Sequence, residues 1–438
     1  MEERARSWPV DGTTPPSGFE YSMEGWKVLA ALWLIVLLVV AVPSVGASII
    51  NAAMISDLKM NRTVFGIGFG LFVMMMGAQG PVVAVLIGRY GYRRTVVLGG
   101  LVMFAGSVAM ATVVTDGWHY AVAFGIIVGS GVCIAGMLPA QAVVTRWFVE
   151  RRAFAVSIVL SSVEIGGLIS PPVLERLLAL SGNNWRIGWW VIAALAIVAV
   201  ATAYCLVDER KIERLVADNP TRFSVRSRSS VFKTTARWSL KEAVRTQAYW
   251  SILIYMSIAG VSWVFLMAHG AIHLHDLGYT STDVAAAVAI TVAASFVGNM
   301  TAGLLGDRFS PRLIAAIAAV LMAVSFFMIV APNGFTGIVL YALPAGIGYG
   351  ASQVCLMALL GNYFGKDAFS TMLGSMMPVS TLCAAAGAAL AGAIYDNQGS
   401  YEPMCHIIIA LCIFASLTIL VASPRVKERG HREEGGFD

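Results

Sequence analysis

Charge is what this sequence has least of. Asp, Glu, Lys and Arg make up 13% of its 438 residues, where soluble globular domains carry about 25%. Apolar residues reach 58%, at a mean hydropathy of +0.76. A soluble core has no room for that much apolar surface, so lipid must be part of the solvent. Cysteine chemistry is missing too. Cys133, Cys205, Cys355, Cys383, Cys405 and Cys412 all lie in apolar stretches without CxxC or metal-ligand spacing, where Cys behaves as a small hydrophobe. No phosphate loop, metal cluster or nucleophile triad occurs. "GIGFG" (Gly66–Gly70) lies inside an apolar run and follows no strand, which excludes dinucleotide binding. The chain therefore reads as a non-enzyme that needs no cofactor or metal. The polar start, Met1–Gly25, has no apolar core or cleavage site of a signal peptide and reads as a tail.

What is present is a series of long apolar runs. A bilayer core about 30 Å thick needs roughly 20 residues of helix. Nine runs free of Asp, Glu, Lys and Arg meet that length, and Ala153–Leu174 qualifies apart from Glu164. Leu313–Gly365 is too long for one helix, and "APNGF" at Ala331–Phe335 splits it at a turn signal. The total is twelve. An even count puts both termini on one side, and the positive-inside rule says which. Only Lys59, Arg62, Arg176 and Arg186 of the 30 Lys and Arg fall in the odd-numbered, outer loops. Both termini are thus expected in the cytoplasm of a multi-pass cell-membrane protein. The net charge of +5 is explained by basic inner loops facing anionic lipid, with no nucleic-acid partner.

The longest loop, Asp208–Gln247, carries ten Lys and Arg. The second part of Ser224–Arg245 reads as an amphipathic interfacial helix. This loop divides the chain into an N-terminal tail (1–25), a first bundle (26–207), a central cytoplasmic loop (208–247), a second bundle (248–422) and a C-terminal tail (423–438). The division exposes a repeat. "VLIGRYGYRR" ends at Arg94 and "GLLGDRFSPR" at Arg312, 219 residues apart in register, each between the second and third helices of its half. "RWFVERRAFA" (Arg146–Ala155) and "NYFGKDAFS" (Asn362–Ser370) echo each other at an offset of 216. Parallel six-helix repeats with a midplane site between them are a transporter architecture.

"GLLGDRFSPR" resembles the signature loop of the major facilitator superfamily, and the resemblance extends over all twelve spans. It implies an all-α membrane fold of two pseudo-symmetric six-helix bundles. It also implies a gate on the cytoplasmic side held by Asp307, Arg308 and Arg312, with Arg89 and Arg93 as weaker counterparts, because Gly88 stands where an acid belongs. Ser130–Val173, "NNWRIGWW" (Asn183–Trp190), "NRTVFGIGF" (Asn61–Phe69) and "FGKDAFSTMLG" (Phe364–Gly374) are similar to the monocarboxylate transporter and oxalate/formate antiporter branch. In that branch a basic residue four positions before the motif Gly holds the substrate carboxylate. Here that position is Asn299.

Glu164 is the one full charge deep in a span. A charge at the bilayer centre costs roughly 2.5–3.5 kcal/mol on insertion scales and is rarely idle. Glu164 therefore reads as a protonatable coupling group, or else as a packing residue bonded to Gln79 or Asn51. His269 is a second candidate, one turn deeper than His273, His275 and Asp276, which read as outer rim. With no Lys or Arg mid-span, an anion would rely on His269, Asn299, Gln353 or Tyr349. Trp263, Tyr255, Tyr341 and Met74–Met76 read as cavity lining or packing, and "GIGYG" (Gly346–Gly350) as a hinge in helix ten. The expected function is alternating-access transport of a small organic acid, proton-coupled or by exchange. Efflux of a neutral or cationic amphiphile is the alternative, and a non-transporting membrane sensor is a third reading.

Overall fold

The computed structural model of the chain describes residues 23–60, 62–148, 151–207, 231–234, 236–330 and 332–423. The regular structure of these residues is helical. Ten helices are long and apolar enough to cross a membrane, and an eleventh span is bent 46° between Val64–Ala78 and Gly80–Tyr90. One of the ten, Gly334–Gln398, has 65 residues. At about 1.5 Å per residue it would be roughly 100 Å long, three times a bilayer core. Its backbone breaks at Gly365, with φ 80° and ψ 169°, a conformation that Gly adopts without steric cost. Two spans meet there, and the count among the described residues is twelve.

The helices are α1 (Met23–Asp57), α2 (Arg62–Ala78 with Gly80–Tyr90), α3 (Tyr92–Thr112), α4 (Gly117–Trp147), α5 (Arg152–Leu180) and α6 (Trp185–Leu206) in the first half. The second half holds α7 (Gln247–Asp276), α8 (Ser281–Gly306), α9 (Pro311–Ile329), α10 (334–364), α11 (366–398) and α12 (Glu402–Val421). Helix starts are set by local chemistry. Asp116 accepts the Trp118 and His119 amides ahead of α4, both at 2.9 Å, and those bonds hold its carboxyl below the usual range. Thr280 and Asp283 form a capping box on α8, and Pro311 sits in the first turn of α9. In α1, Pro43 lies inside a π-helical stretch, Leu37–Gly46, which accommodates the amide that proline lacks.

Within the second half α8 and α10 pack closely. A Cβ at Gly346 would collide with the carbonyl of Thr291, one at Gly350 with that of Ser295, and one at Gly298 with that of Ile347. These glycines let two backbones touch, as small residues do in membranes. The hinge expected at Gly346–Gly350 is therefore corrected: the helix runs through it unbroken, and the break comes at Gly365. The interfacial helix expected in the central loop is likewise reduced to one turn, Leu240–Ala243, among the described residues. The chain from 231 to 234 instead lies against the α10–α11 corner, where the Thr234 amide donates to the Asn362 carbonyl at 2.8 Å.

Both described chain ends lie on one face of the bundle, the basic face: Trp26 packs on Phe148 and Phe154, Phe154 meets Asp307, and Arg312 meets the Ala422 carbonyl. The halves meet along α5 with α8 and along α2 with α11. Gly80 and Gly374 are in backbone contact, and Gly303 abuts Ser157.

Candidate functional site

Glu164 stands midway along α5, and its carboxylate faces the other half. It accepts Asn299 Nδ2 at 3.3 and 3.4 Å on its two oxygens, and the Ser295 hydroxyl at 3.4 Å. Ser295 and Asn299 are one turn apart on α8, which aims both at the same point. Asn299 is fully buried, and its Oδ1 has no partner among the described residues. An amide carries a donor and an acceptor side by side, so Asn299 can serve either protonation state of the acid. From α10, Tyr349 lies within electrostatic range of Glu164 and is hydrogen-bonded with Gln353. From α7, Trp263 stacks on Tyr349 with centroids 4.0 Å apart and planes 10° apart. Glu164 thus sits where one helix of the first half meets three of the second. One turn before it, Ser161 takes a hydrogen bond from Trp33 of α1 at 3.1 Å.

Nearer the basic face the halves are joined by charge. Asp307, just past α8, accepts the Ala153 amide at 2.9 Å and the Phe154 amide at 3.1 Å. These amides belong to the first turn of α5, where unpaired N–H groups and the helix dipole favour an anion. Burial pushes the Asp307 carboxyl up to about 6, while the two amides and the nearby charges of Lys233 and Arg152 pull against it. Beside it, the buried Arg152 donates to Asn362 Oδ1 at 2.8 Å, and Arg146 pairs with Asp367 at 3.3 Å.

The two distal arginines act differently. Arg312 Nη1 donates to the Ala422 carbonyl at 2.9 Å, just past α12. Arg93 Nη2 donates to the Tyr204 carbonyl near the end of α6, with its guanidinium 4.3 Å from that ring. Each ties the third helix of a half to the sixth helix of the same half.

The profile of the Major Facilitator Superfamily matches residues 32–280 and 252–437. The chain belongs to the Major Facilitator Superfamily. Over 422 residues it is 22% identical to monocarboxylate transporter 13 of Rattus norvegicus, covering 95% of this chain and 91% of that one. It is 24% identical over 424 residues to the agnestins efflux protein AgnL12 of Paecilomyces divaricatus, covering 96% and 90%. The E. coli fucose:proton symporter FucP shares the fold, with a TM-score of 0.64 at 16% identity over 91% of this chain and 98% of that one.

Of the residues singled out in the sequence of this superfamily member, the structure brings together Glu164, Asn299, Tyr349 and Gln353. It does not bring in the others. Gln79, at the bend of α2, donates to Ser130 Oγ at 2.6 Å and to Met75 Sδ at 2.8 Å. Asn51 is buried in α1 with its Oδ1 unpartnered among the described residues. The expected Glu164 partners Gln79 and Asn51 are therefore replaced by Ser295 and Asn299. His269 is held inside the second half, with Nε2 donating to the Ala388 carbonyl at 3.1 Å and Nδ1 3.2 Å from the Tyr401 hydroxyl. Both of its nitrogens are thus engaged within the second half, and its hydrogen-bond partners among the described residues do not include the Glu164 cluster. His273 is buried and donates to the Ile329 carbonyl, whereas His275 and Asp276 are exposed as expected of a rim. At the signature loops, Arg93 and Arg312 bond within their own halves among the described residues. Arg89 is exposed, 5.6 Å from the Tyr90 ring centroid, and Arg308 is exposed beside Asp307. Sequence reasoning missed Ser295, Ser161 and Trp33. Ser295 was findable as the residue one turn from Asn299 on the same face.

Proposed function

We propose that the chain is a secondary active transporter that moves a small organic acid across the cell membrane by alternating access, with Glu164 carrying the coupling proton. The observation that carries this reading is the Glu164–Asn299–Ser295 contact, a titratable group shared between the two moving halves. A carboxylate is costly to ionise at midplane, so protonation there is an accessible second state. When ionised, Glu164 accepts from Asn299 Nδ2 and Ser295. When protonated, it has an O–H to give. A cargo carboxylate would accept that O–H, so anion and proton load as a neutral pair. This supplies what the missing mid-span Lys or Arg would otherwise supply. Opening of the opposite side lets cargo and proton leave together and returns Glu164 to Asn299. The names of relatives, monocarboxylate transporters 13 and 2, support this cargo class.

With both termini in the cytoplasm, the basic face is the inner gate. It is held shut here by Asp307, Arg152 and Arg146. Those cross-half contacts at the basic face support a form closed on the inside. Labelling a cysteine placed at Ser229 with a membrane-impermeant reagent tests the orientation. Labelling in intact cells would overturn it.

The second reading, proton-driven efflux of a neutral or cationic amphiphile, is favoured by the Trp263–Tyr349 stack beside the one mid-span acid. Proteoliposomes decide between the readings when challenged with a panel of small acids and of aromatic amphiphiles, with and without a pH gradient. The Glu164→Gln variant keeps the hydrogen-bonding reach and loses the proton. Uphill accumulation is expected to stop while substrate-for-substrate exchange survives. A variant that still concentrates an acid when driven by pH would remove Glu164 from coupling.

A further inference from the structure

Trp263 and Tyr349 form one flat unit beside the Glu164 cluster. Their rings stack with centroids 4.0 Å apart and planes 10° apart. The pair joins α7 to α10, and Gln353, one turn along α10, is hydrogen-bonded with Tyr349, which orients the phenol. Stacking covers one face of each ring. Both side chains nevertheless stay partly open, although Ser262, Phe265, Gly348 and Gly350 beside them are buried. Glu164, within electrostatic range of Tyr349, is partly open as well. Its carboxylate faces the second half, where it meets Ser295 and Asn299, so this open surface lies between the halves. From the first half, Trp33 is also partly open and donates to Ser161, one turn before Glu164, at 3.1 Å.

Aromatic surface thus stands near the acid on both sides of the interface. Packing alone does not call for it to be open: Tyr255 and Phe265, large rings of the same α7, are closed off to 1% and 0% exposure. Flat faces prefer flat partners, because ring quadrupoles favour offset-stacked and edge-to-face contacts. A short aliphatic acid reaching Glu164 would leave these faces without a partner. A saturated ring would cover them but lacks the quadrupole.

We propose that the midplane site takes an aryl carboxylic acid, with its carboxyl toward Glu164, Asn299 and Ser295 and its ring on the open side of the Trp263–Tyr349 pair. The proposal rests on the organic-acid reading above and narrows it to a cargo that carries a planar ring beside its carboxyl. Trp263 then sets specificity, and Gln353 holds Tyr349 in position for it.

Calorimetric titration of the purified full-length protein with benzoate and with cyclohexanecarboxylate tests the proposal. The two acids share carbon count and charge and differ in flatness. The advantage of an aromatic pair beyond area burial corresponds to roughly two- to twelvefold in affinity, and benzoate is expected to bind more tightly by that factor. Trp263→Leu keeps apolar bulk without a flat face and should bring the ratio of the two affinities close to one. Trp263→Phe returns a ring and should keep most of the preference. A merely structural Trp263 would weaken both acids together and leave the ratio unchanged in Trp263→Leu, which would overturn its role in specificity. Equal affinities in the wild-type protein would overturn the aryl cargo and leave the organic-acid reading standing. Binding of benzylamine in preference to both acids would overturn that reading, and the aryl acid with it.

Discussion

The two signature loops share one contact and differ in another. Arg93 and Arg312 both reach the last carbonyls of the sixth helix in their own half, Tyr204 and Ala422. That bond belongs to the building of a bundle, and both bundles have it. At the acid position the loops diverge. Asp307 crosses to the other half and takes two amides of α5, while Gly88 has nothing to offer the start of α11. On that side the link is Arg146 with Asp367, an ion pair with side chains 28% and 51% exposed. The repeat is thus symmetric in what makes each half rigid and asymmetric in what holds the halves together. One latch is a buried anion on a helix N-terminus, the other an exposed salt bridge.

The largest break in this comparison is expected from Asp307→Asn. In Asn one carboxylate oxygen becomes an NH2 that cannot accept, so one of the two α5 amides loses its acceptor. An unmade buried hydrogen bond costs about 1–3 kcal/mol, which shifts the gate equilibrium by roughly 10- to 100-fold. Turnover should fall by about that factor, with cargo affinity changing less, because the latch is remote from Glu164. Measuring transport rate and equilibrium binding on the same preparation checks it. Lost binding with unchanged turnover would mean that Asp307 shapes the cargo site instead.

A pH dependence follows with a definite sign. In the closed form burial holds the Asp307 carboxyl at about 6, above its ordinary 3.8. Opening returns it to water and toward the ordinary value. Between these limits the closed form binds more protons than the open one. Acidification therefore favours closure: the gain is absent above about pH 6, grows as pH falls through 6, and is complete below 3.8. Distances between spin labels at Arg94 and Ser310 should shorten over that window in the native protein and stay flat in Asp307→Asn. Shortening in both would assign the titration to another group.

Twelve spans, two halves and the Glu164 position were legible because each depends on residue type. Apolar runs, a repeated loop and a lone mid-span acid survive ignorance of the fold. The contacts were less legible. As a packing residue Glu164 reads as bonded to polar neighbours of its own half, Gln79 or Asn51, whereas its partners are 131 and 135 residues away on α8. Arg93 and Arg312 bond backbone carbonyls, which every residue carries and no sequence marks. His269 lies in a π-helical stretch, Leu266–Gly270. An inserted residue there turns the helix face by about 100°, so a register read from spacing does not foretell the Ala388 and Tyr401 partners. Glycine at Gly346–Gly350 reads equally as hinge or as close contact, and only the neighbouring carbonyls of α8 decide.

The comparison can be sharpened by making the loops more alike. Gly88 has nothing within 4 Å of where a Cβ would stand, so Gly88→Asp has room for its side chain. An added acid near the start of α11 should favour closure of the basic face. A helix-terminus interaction at an exposed site is worth about 0.3–1 kcal/mol, a few-fold at most. The same spin-label distances should shorten slightly, and the change should partly offset Asp307→Asn in the double variant. No rescue would show that the two loops are not interchangeable as latches.

The smallest effect should come from the salt bridge itself. Arg146 and Asp367 are 3.3 Å apart with solvent on both, and exposed pairs contribute about 0.2–1 kcal/mol. Asp367→Asn removes one charge and leaves a hydrogen-bond acceptor of the same shape, so turnover should change less than about fivefold. Arg146 has a second role, with its guanidinium 5.1 Å from the Tyr92 ring centroid. Arg146→Gln should therefore cost more than Asp367→Asn, and the excess should persist in the double variant. High salt should screen the ion-pair part and leave the Asp307 latch, which is buried against amides, almost unchanged. Transport rates of the two single variants and the double variant, at low and high salt, separate the terms. If Asp367→Asn slows turnover as much as Asp307→Asn does, the first half has a latch of its own. The asymmetry between Gly88 and Asp307 would then be one of sequence and not of energy.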